Sequence, residues 1–162
     1  MTAIPFLYFV PADGYVIPNV FCHDVLKFID CVKQIEKEFL LRNKSLNENS
    51  FKWFITGDSQ DNLNKILAMY PNKTFSTNEY HIGHVDEDKK GYLRTILDIE
   101  LLSLCNELVI TGGSTYGWIA AMKMLKLPFY VNGKDSSMEK CLKHNFSHPS
   151  RVIRDSNIWA IF

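Results

Sequence analysis

A short apolar segment followed by two glycines constrains the fold of this 162-residue chain more than any other feature. Residues 108–110 are Leu-Val-Ile, which is typical of a buried strand, and Gly112 with Gly113 allows a tight backbone turn after it. Ser114 or Thr115 can then cap the helix that follows. The first turn of such a helix offers unpaired N–H groups and the positive end of the macrodipole to a phosphate. The same residues are also typical of an ordinary capped helix.

Strands and helices alternate along the rest of the chain. Predicted strands cover residues 6–10, 51–56, 74–75, 108–110 and 129–131, and predicted helices cover 25–39, 60–70, 92–105 and 115–125, with a long polar loop at 76–91. Asp24 is the predicted N-cap of the first helix. This order predicts a Rossmann-like α/β fold of three layers, in which helices cover both faces of a parallel sheet. Ligands of such sheets bind beyond the carboxyl ends of the strands, where Asp58 and residues 112–115 follow predicted strands.

The composition fits one globular domain over residues 1–162. Hydrophobic residues make up 46% of the chain and aromatic residues 13%, which is enough for a core. Basic and acidic residues are equal in number, 18 of each, and this balance argues against a nucleic-acid-binding protein that depends on neutralising phosphates. No apolar run approaches the roughly 20 residues needed to cross a bilayer, so no membrane segment is predicted.

Asp98 is the most unusual charged residue, because it lies within the largely apolar sequence Ile-Leu-Asp-Ile-Glu-Leu-Leu at 96–102. A carboxylate buried there costs several kcal/mol unless a partner compensates it. Arg94 is one candidate partner, since it lies four residues earlier on the same helix face. A ligand with adjacent N–H donors, such as the Watson–Crick edge of guanine, is the other. With a phosphate-binding turn nearby, the second alternative would describe a nucleotide site.

Three segments occur in an order and spacing that resemble one enzyme family. They read WFITGDSQ at 53–60, LRTILDIELLS at 93–103 and GSTYG at 113–117. These segments look like the donor-binding motifs of GDP-fucose-dependent fucosyltransferases of the α1,2 and α1,6 type. Residues 127–132 resemble the strand that follows the phosphate helix in the α1,2 enzymes, so the resemblance covers about half of the chain.

The resemblance implies a fold and an activity. The chain would be the nucleotide-sugar-binding half of a GT-B glycosyltransferase, and fucose would pass from GDP-fucose to a glycan hydroxyl with inversion, without a metal or other cofactor. The implied donor-binding residues are Asp58, Asp98, Gly112, Gly113, Ser114, Thr115 and Tyr116. Residues 113–115 would bind the diphosphate, Asp98 would bind guanine, and Asp58 would support the nucleotide loop. Tyr116 would stack on a base or line the sugar pocket.

Members of this family are typically anchored in the Golgi membrane by an N-terminal helix. The resemblance therefore implies a truncated product or an excerpt of a longer chain, with a Golgi location if an anchor lies upstream. No residue is identified as a general base, and that role would belong to a missing half or be lost.

The sequence departs from the family where paired arginines normally bind the departing diphosphate. The chain has four arginines, at 42, 94, 151 and 154, and none of them are adjacent. A second hypothesis is therefore a catalytically inactive relic of the same fold, acting as a nucleotide-binding or interaction module. A third is an unrelated Rossmann-like domain that binds a different phosphate ligand and prefers adenine to guanine.

The cysteines are too few and too widely spaced for a disulfide-rich scaffold. Cys31 and Cys105 fall on predicted buried helix faces and are predicted to be small core residues. Cys141, His144 and His148 have the spacing of zinc ligands, but a structural zinc site needs four ligands, and no metal site is predicted.

Three Asn-x-Ser/Thr sequons occur, at Asn43, Asn72 and Asn145. They would suit a protein of a lumenal compartment, where such asparagines are glycosylated. Triplets of this kind also arise by chance in a chain with twelve asparagines.

Overall fold

The structure, a computed structural model, describes residues 6–9, 21–57, 59–77, 89–111, 114–131 and 141–143. The strands are β1 (Phe6–Phe9), β2 (Lys52–Ile55), β3 (Thr74–Phe75), β4 (Val109–Thr111), β5 (Phe129–Val131) and β6 (Leu142–Lys143). The helices are α1 (Phe21–Arg42), α2 (Gln60–Met69), α3 (Lys89–Ser103) and α4 (Thr115–Met124), and a short 3-10 helix spans Glu48–Ser50.

One sheet contains the six described strands, in the order β3-β2-β1-β4-β5-β6. The pairs that join β1 through β5 are parallel, and β6 pairs antiparallel with β5 at the edge. Residues 6–9 of β1 lie opposite residues 52–55 of β2, and Phe9 lies opposite Val109 of β4. The chain is therefore an α/β protein, and the predicted alternation of strands and helices is confirmed for the described elements.

Two hydrophobic clusters lie on opposite faces of the sheet, because successive side chains of a strand point to opposite sides. Trp53 and Ile55 of β2 belong to the first cluster, and Phe54, between them in sequence, belongs to the second. The first cluster is completed chiefly by α1 and α2, through Val25, Phe28, Ile29, Val32, Ile35, Leu63 and Ile66. The second includes Leu102 of α3, Ile110 of β4, and Ala120 and Ala121 of α4. The three- and four-residue spacing of the buried α1 residues confirms the predicted amphipathic helix.

Several element boundaries differ from the predicted ones. Helix α1 begins at Phe21, so Asp24 lies inside its first turn and is not the N-cap that the sequence predicts. Helix α3 begins at Lys89, three residues before the predicted start, because polar residues at 89–91 carry no apolar periodicity to mark the first turn. Strand β6 is not predicted at all, since two residues are too short to show a strand pattern.

A disulfide joins Cys31 of α1 to Cys141, immediately before β6, with 5.0 Å between the Cα atoms. Both residues are buried in the first cluster, which confirms the prediction that Cys31 is a core residue; its disulfide is not predicted from the sequence. The disulfide also occupies the Cys141 sulfur, which contradicts a zinc site built on that residue. His144 and His148 lie outside the described residues. Cys105 is a half-buried free thiol.

Candidate functional site

A buried polar cluster at the carboxyl ends of β2 and β3 is centred on Asp98 of α3. Asp98 is nearly inaccessible, at 2% exposure. Its Oδ1 accepts a 2.5 Å hydrogen bond from Thr77 Oγ1, and its Oδ2 accepts one from Thr56 Oγ1. Arg94, which is also buried, lies with its Nε 3.5 Å from Oδ2. The carboxylate therefore connects α3 to the segments that follow two neighbouring strands.

The protonation of Asp98 reflects opposing influences. Burial raises the pKa of this carboxyl above its ordinary value of 3.8, and the hydrogen bonds from Thr56 and Thr77, together with the positive charge of Arg94, counteract the increase. The net direction is upward. Since both oxygens already accept hydrogen bonds within the protein and solvent is almost excluded, a purine could reach this carboxylate only if the surrounding side chains moved.

Tyr116, in the first turn of α4, extends this cluster. Its hydroxyl donates to the carbonyl of Thr95 on α3 across 3.4 Å, and the ring hydroxyl lies close to the Thr56 side chain and to the Asp98 carboxylate. Burial, reinforced by the nearby Asp98 charge, raises the pKa of the phenol well above its ordinary value of 10. Tyr116 is therefore a neutral hydroxyl at physiological pH.

The contacts bring together residues from all three segments on which the resemblance rests. Thr56 lies in residues 53–60, Asp98 in residues 93–103 and Tyr116 in residues 113–117. Asp98 accepts from Thr56, and Thr56 in turn contacts Tyr116. Three segments separated in sequence thus meet at one end of the sheet, where parallel α/β proteins bind their ligands.

Ser114 is the N-cap of α4. Its Oγ accepts a 3.2 Å hydrogen bond from the backbone N–H of Gly117, and its own N–H donates to the Thr111 carbonyl across 3.1 Å. The Ser114 side chain is 1% exposed, so its hydroxyl serves the helix start in this structure. The N–H of Tyr116 has no acceptor among the described residues and is one of the groups that an anion at this helix terminus would meet.

Several predicted site residues lie wholly or partly outside the described part of the chain. Asp58, Gly112 and Gly113 lie outside it, and Thr115 is described only as the first residue of α4. The N-cap of α2 is Ser59, whose hydroxyl accepts a 3.4 Å hydrogen bond from a backbone N–H three residues later. Helix capping at this turn is thus carried by Ser59.

Sequence reasoning missed the two threonine partners of Asp98. Both follow strand ends, Thr56 directly after β2 and Thr77 two residues after β3, and a hydroxyl at the carboxyl end of each neighbouring strand is the signal that could have found them. Ser76, beside Thr77, has a buried hydroxyl without a hydrogen-bond partner among the described residues. Within those residues no three His, Cys, Asp or Glu side chains form a group that could bind a metal ion.

Comparison with known proteins adds no family assignment. No protein-family model matches the chain, and no curated protein is significantly similar to it in sequence. In the part of the chain that the structure describes, every helix is too short or too polar to span a membrane.

Proposed function

We propose that this chain binds the nucleoside diphosphate of GDP-fucose and acts as a fucosyltransferase-like protein, transferring fucose to a glycan hydroxyl with inversion. The observation that carries the proposal is the contact of Thr56, Asp98 and Tyr116, because it joins the three segments that resemble donor-binding motifs. Independent motifs of a binding site are expected to meet in space, and these three do so at the usual ligand end of a parallel sheet.

The proposed fold is a Rossmann-like, three-layer half of a GT-B enzyme. Two features support it. The strand order β3-β2-β1-β4-β5 is that of a doubly wound sheet, in which the chain reverses direction between β1 and β4 and leaves a crevice. Helices α1 and α2 pack in one hydrophobic cluster, and α3 and α4 pack in the other.

The proposed roles follow from which polar groups are already used. The Ser114 hydroxyl and N–H are engaged in the helix start, so the diphosphate would be bound by the following N–H groups of Thr115 and Tyr116 and by the glycine turn. Asp98, whose oxygens accept from two threonines, would position α3 and the α4 terminus around the nucleotide. Direct contact of Asp98 with guanine requires the side chains that cover this buried carboxylate to move.

One observation favours a catalytically inactive relic that binds a nucleotide as a second candidate. Loss of a diphosphate leaving group needs a cation or several hydrogen-bond donors in the transition state. The described residues include two arginines. Arg94 pairs with Asp98, and Arg42 is the last residue of α1, at the amino end of the sheet and away from α4. Neither lies free beside the α4 terminus.

Titration of the full chain with GDP, GDP-fucose and ADP tests the proposal by calorimetry. We expect saturable binding of both guanine ligands and weaker binding of ADP, with a rise in thermal stability because these ligands bind the native state. Equal binding of ADP would instead indicate a Rossmann-like domain without guanine preference. Absence of binding by all three contradicts nucleotide binding altogether.

A backbone variant locates the diphosphate site. Thr115→Pro removes one N–H at the first position of α4, where proline is tolerated because that N–H has no partner within the helix. The extended Ser114 backbone, at φ −72° and ψ 108°, is compatible with a following proline. Loss of one charge-assisted hydrogen bond, about 1.5–3 kcal/mol, should weaken GDP binding about tenfold to a hundredfold.

Glu48→Pro is the matched control, because Glu48 holds the first position of the 3-10 helix after the extended N-cap Asn47 and lies outside the three segments that resemble donor-binding motifs. It should leave GDP affinity unchanged, and equal losses in both variants would contradict a phosphate site at α4.

Release of GDP from GDP-fucose in the presence of glycan acceptors then separates the two candidates. Turnover supports the transferase, and binding without turnover supports the relic.

A further inference from the structure

Two of the three sequons lie in exposed turns of the described structure. Asn43 follows the last residue of α1, and Asn72 lies in the turn between α2 and β3; both side chains are exposed. N-glycosylation requires an asparagine followed by any residue except proline and then Ser or Thr, in a chain that enters a secretory lumen. We propose that Asn43 and Asn72 are N-glycosylated. This proposal is independent of the proposed function.

Asn43 lies next to the hydroxyl of its own sequon. Its Oδ1 accepts a 2.7 Å hydrogen bond from Ser45 Oγ and a 3.1 Å hydrogen bond from the Ser45 backbone N–H. Both bonds use the amide oxygen, and no described residue bonds to the amide nitrogen, which is the atom that would be modified. Ser45 is exposed as well, so the whole acceptor triplet is on the surface of the folded chain.

Asn72 lies in a different environment. Its side chain is exposed, but the Thr74 hydroxyl of the same sequon donates to the Tyr70 carbonyl across 2.6 Å, and Thr74 is only 9% exposed. The hydroxyl of this triplet is therefore available only before the turn closes. Modification of Asn72 is expected during synthesis, ahead of folding. A groove of about 620 Å³ beside Asn72 then leaves room for the first sugars in the folded protein.

The disulfide between Cys31 and Cys141 is the second, independent observation. Disulfides form and persist in oxidising compartments and are rare in the cytosol, where thiols are kept reduced. The oxidising compartment of a eukaryotic cell is also the one that contains the glycosylation machinery. A buried disulfide and two exposed sequons therefore point to the same location.

Both asparagines lie near the amino ends of the strands, at the opposite end of the sheet from the candidate site. Helix α1 returns from the carboxyl end of β1 to the amino end of β2, so Asn43 lies at the amino ends of the strands. Asn72 lies two residues before β3, at the same end of the sheet. Thr56 and Thr77, by contrast, follow the carboxyl ends of their strands. Glycans at these positions would leave the cluster around Asp98 uncovered.

The modification is a balanced group transfer. The asparagine amide nitrogen forms a bond to the anomeric carbon of an oligosaccharide carried on a polyisoprenoid diphosphate. The anomeric C–O bond breaks, the lipid diphosphate leaves with the bonding electrons, and the amide nitrogen loses one proton. The lipid-linked oligosaccharide is the co-reactant, and it resides in the same secretory lumen.

Mass spectrometry of the full chain from its own cells tests the proposal. Release of glycans by peptide N-glycosidase in H₂¹⁸O converts each glycosylated asparagine to an ¹⁸O-labelled aspartate. We expect label at Asn43 and Asn72. Unlabelled asparagine at either position overturns the proposal for that position. Asn49, which is exposed but not in a sequon, is the matched control for spontaneous deamidation and should stay unlabelled.

Variants and thiol labelling complete the experiment. In the full chain that carries Asn145→Gln and is expressed in its own cells, Ser45→Ala should abolish one of the two glycan-dependent shifts in gel mobility, and Ser45→Thr should keep it. Asn72→Gln should remove the other shift without disturbing buried Thr74. Alkylation in denaturant without reductant, which exposes both buried positions, should leave Cys31 and Cys141 unlabelled. Free thiols at these two cysteines in the native protein would overturn the oxidising location.

Discussion

The Asp98 carboxylate differs from the surface acids in the described part of the chain in what surrounds it. Thr56 and Thr77 donate to its oxygens, Arg94 supplies the neighbouring positive charge, and solvent is almost excluded. Burial raises the pKa of this carboxyl above its ordinary value of 3.8, so the folded chain binds the proton more tightly than the unfolded chain. By linkage, this contribution to stability is present below pH 3.8 and is lost as the pH rises through the folded pKa.

Asp98→Asn removes the titration and should change how stability depends on pH. We expect the free energy of unfolding of the wild type, relative to the variant, to fall as the pH rises from about 4. The slope should reach at most about 1.4 kcal/mol per pH unit, the limit for one proton. The lost attraction to Arg94 lowers variant stability at high pH without adding a titration, because arginine stays charged. Urea unfolding from pH 4 to pH 8 measures the difference.

Glu100→Gln is the control for this experiment. Glu100 lies on the same helix and pairs with Lys123, but its side chain is 53% exposed, so its removal should leave the shape of the pH profile nearly unchanged. Parallel profiles for the wild type and Asp98→Asn would contradict a perturbed Asp98.

The sequence identifies Asp98 because a carboxylate in an apolar helix requires a partner, and Arg94 lies at the correct spacing. Its two hydroxyl partners could not be identified in the same way. Thr56 is 42 residues away in sequence and Thr77 is 21 residues away, so only the pairing of β2 with β3 brings them to the same carboxylate. Contacts that depend on strand order lie beyond what local spacing predicts.

Helix α4 approaches strand β4 so closely that one position on the helix has no space for a side chain. A Cβ at Gly117 would lie 2.6 Å from Ile110 Cγ2 and 2.8 Å from Ile110 Cβ. Gly117→Ala should therefore destabilise the fold by about 1–3 kcal/mol through overpacking. The opposing gain in helix propensity is about 1 kcal/mol. Chemical unfolding measures the net loss.

A double-mutant cycle with Ile110→Ala separates overpacking from other causes. Removing Ile110 Cγ2 relieves the shortest contact, so the double variant should be more stable than the sum of the two single losses predicts, by about 0.5–3 kcal/mol. Additive losses, or a Gly117→Ala variant more stable than the wild type, would contradict close packing of α4 on β4.

Element prediction succeeded where a periodic pattern is long. The apolar residues of α1 repeat over several turns, so its presence and buried face are predicted correctly, although its start lies before Asp24. The first turn of α3 and the two-residue β6 carry too few residues for a period to show. Strand β6 is positioned by tertiary contacts, chiefly the antiparallel pairing with β5 and the adjacent disulfide.

The whole molecule is organised by its sheet, and the sequence predicts the α/β class from the alternation of elements. It does not predict strand order, because several orders satisfy the same alternation. It also does not predict which cysteines are joined, since four cysteines allow three full pairings and several partial ones. The long-range disulfide is therefore a property that only the assembled fold reveals.

The disulfide closes a loop of 110 residues, from α1 to the edge of the sheet. A cross-link of this length restricts the unfolded chain strongly, so Cys31→Ala with Cys141→Ala should lower the free energy of unfolding by about 4–5 kcal/mol. Reductant should lower the urea midpoint of the wild type and leave that of the double variant unchanged. Cys105→Ala is the control, because Cys105 is a free thiol, and burial raises its pKa to about 12. The urea midpoint of this variant should respond to reductant as the wild-type midpoint does. A wild-type midpoint that is insensitive to reductant would show that the Cys31–Cys141 bond does not stabilise the fold.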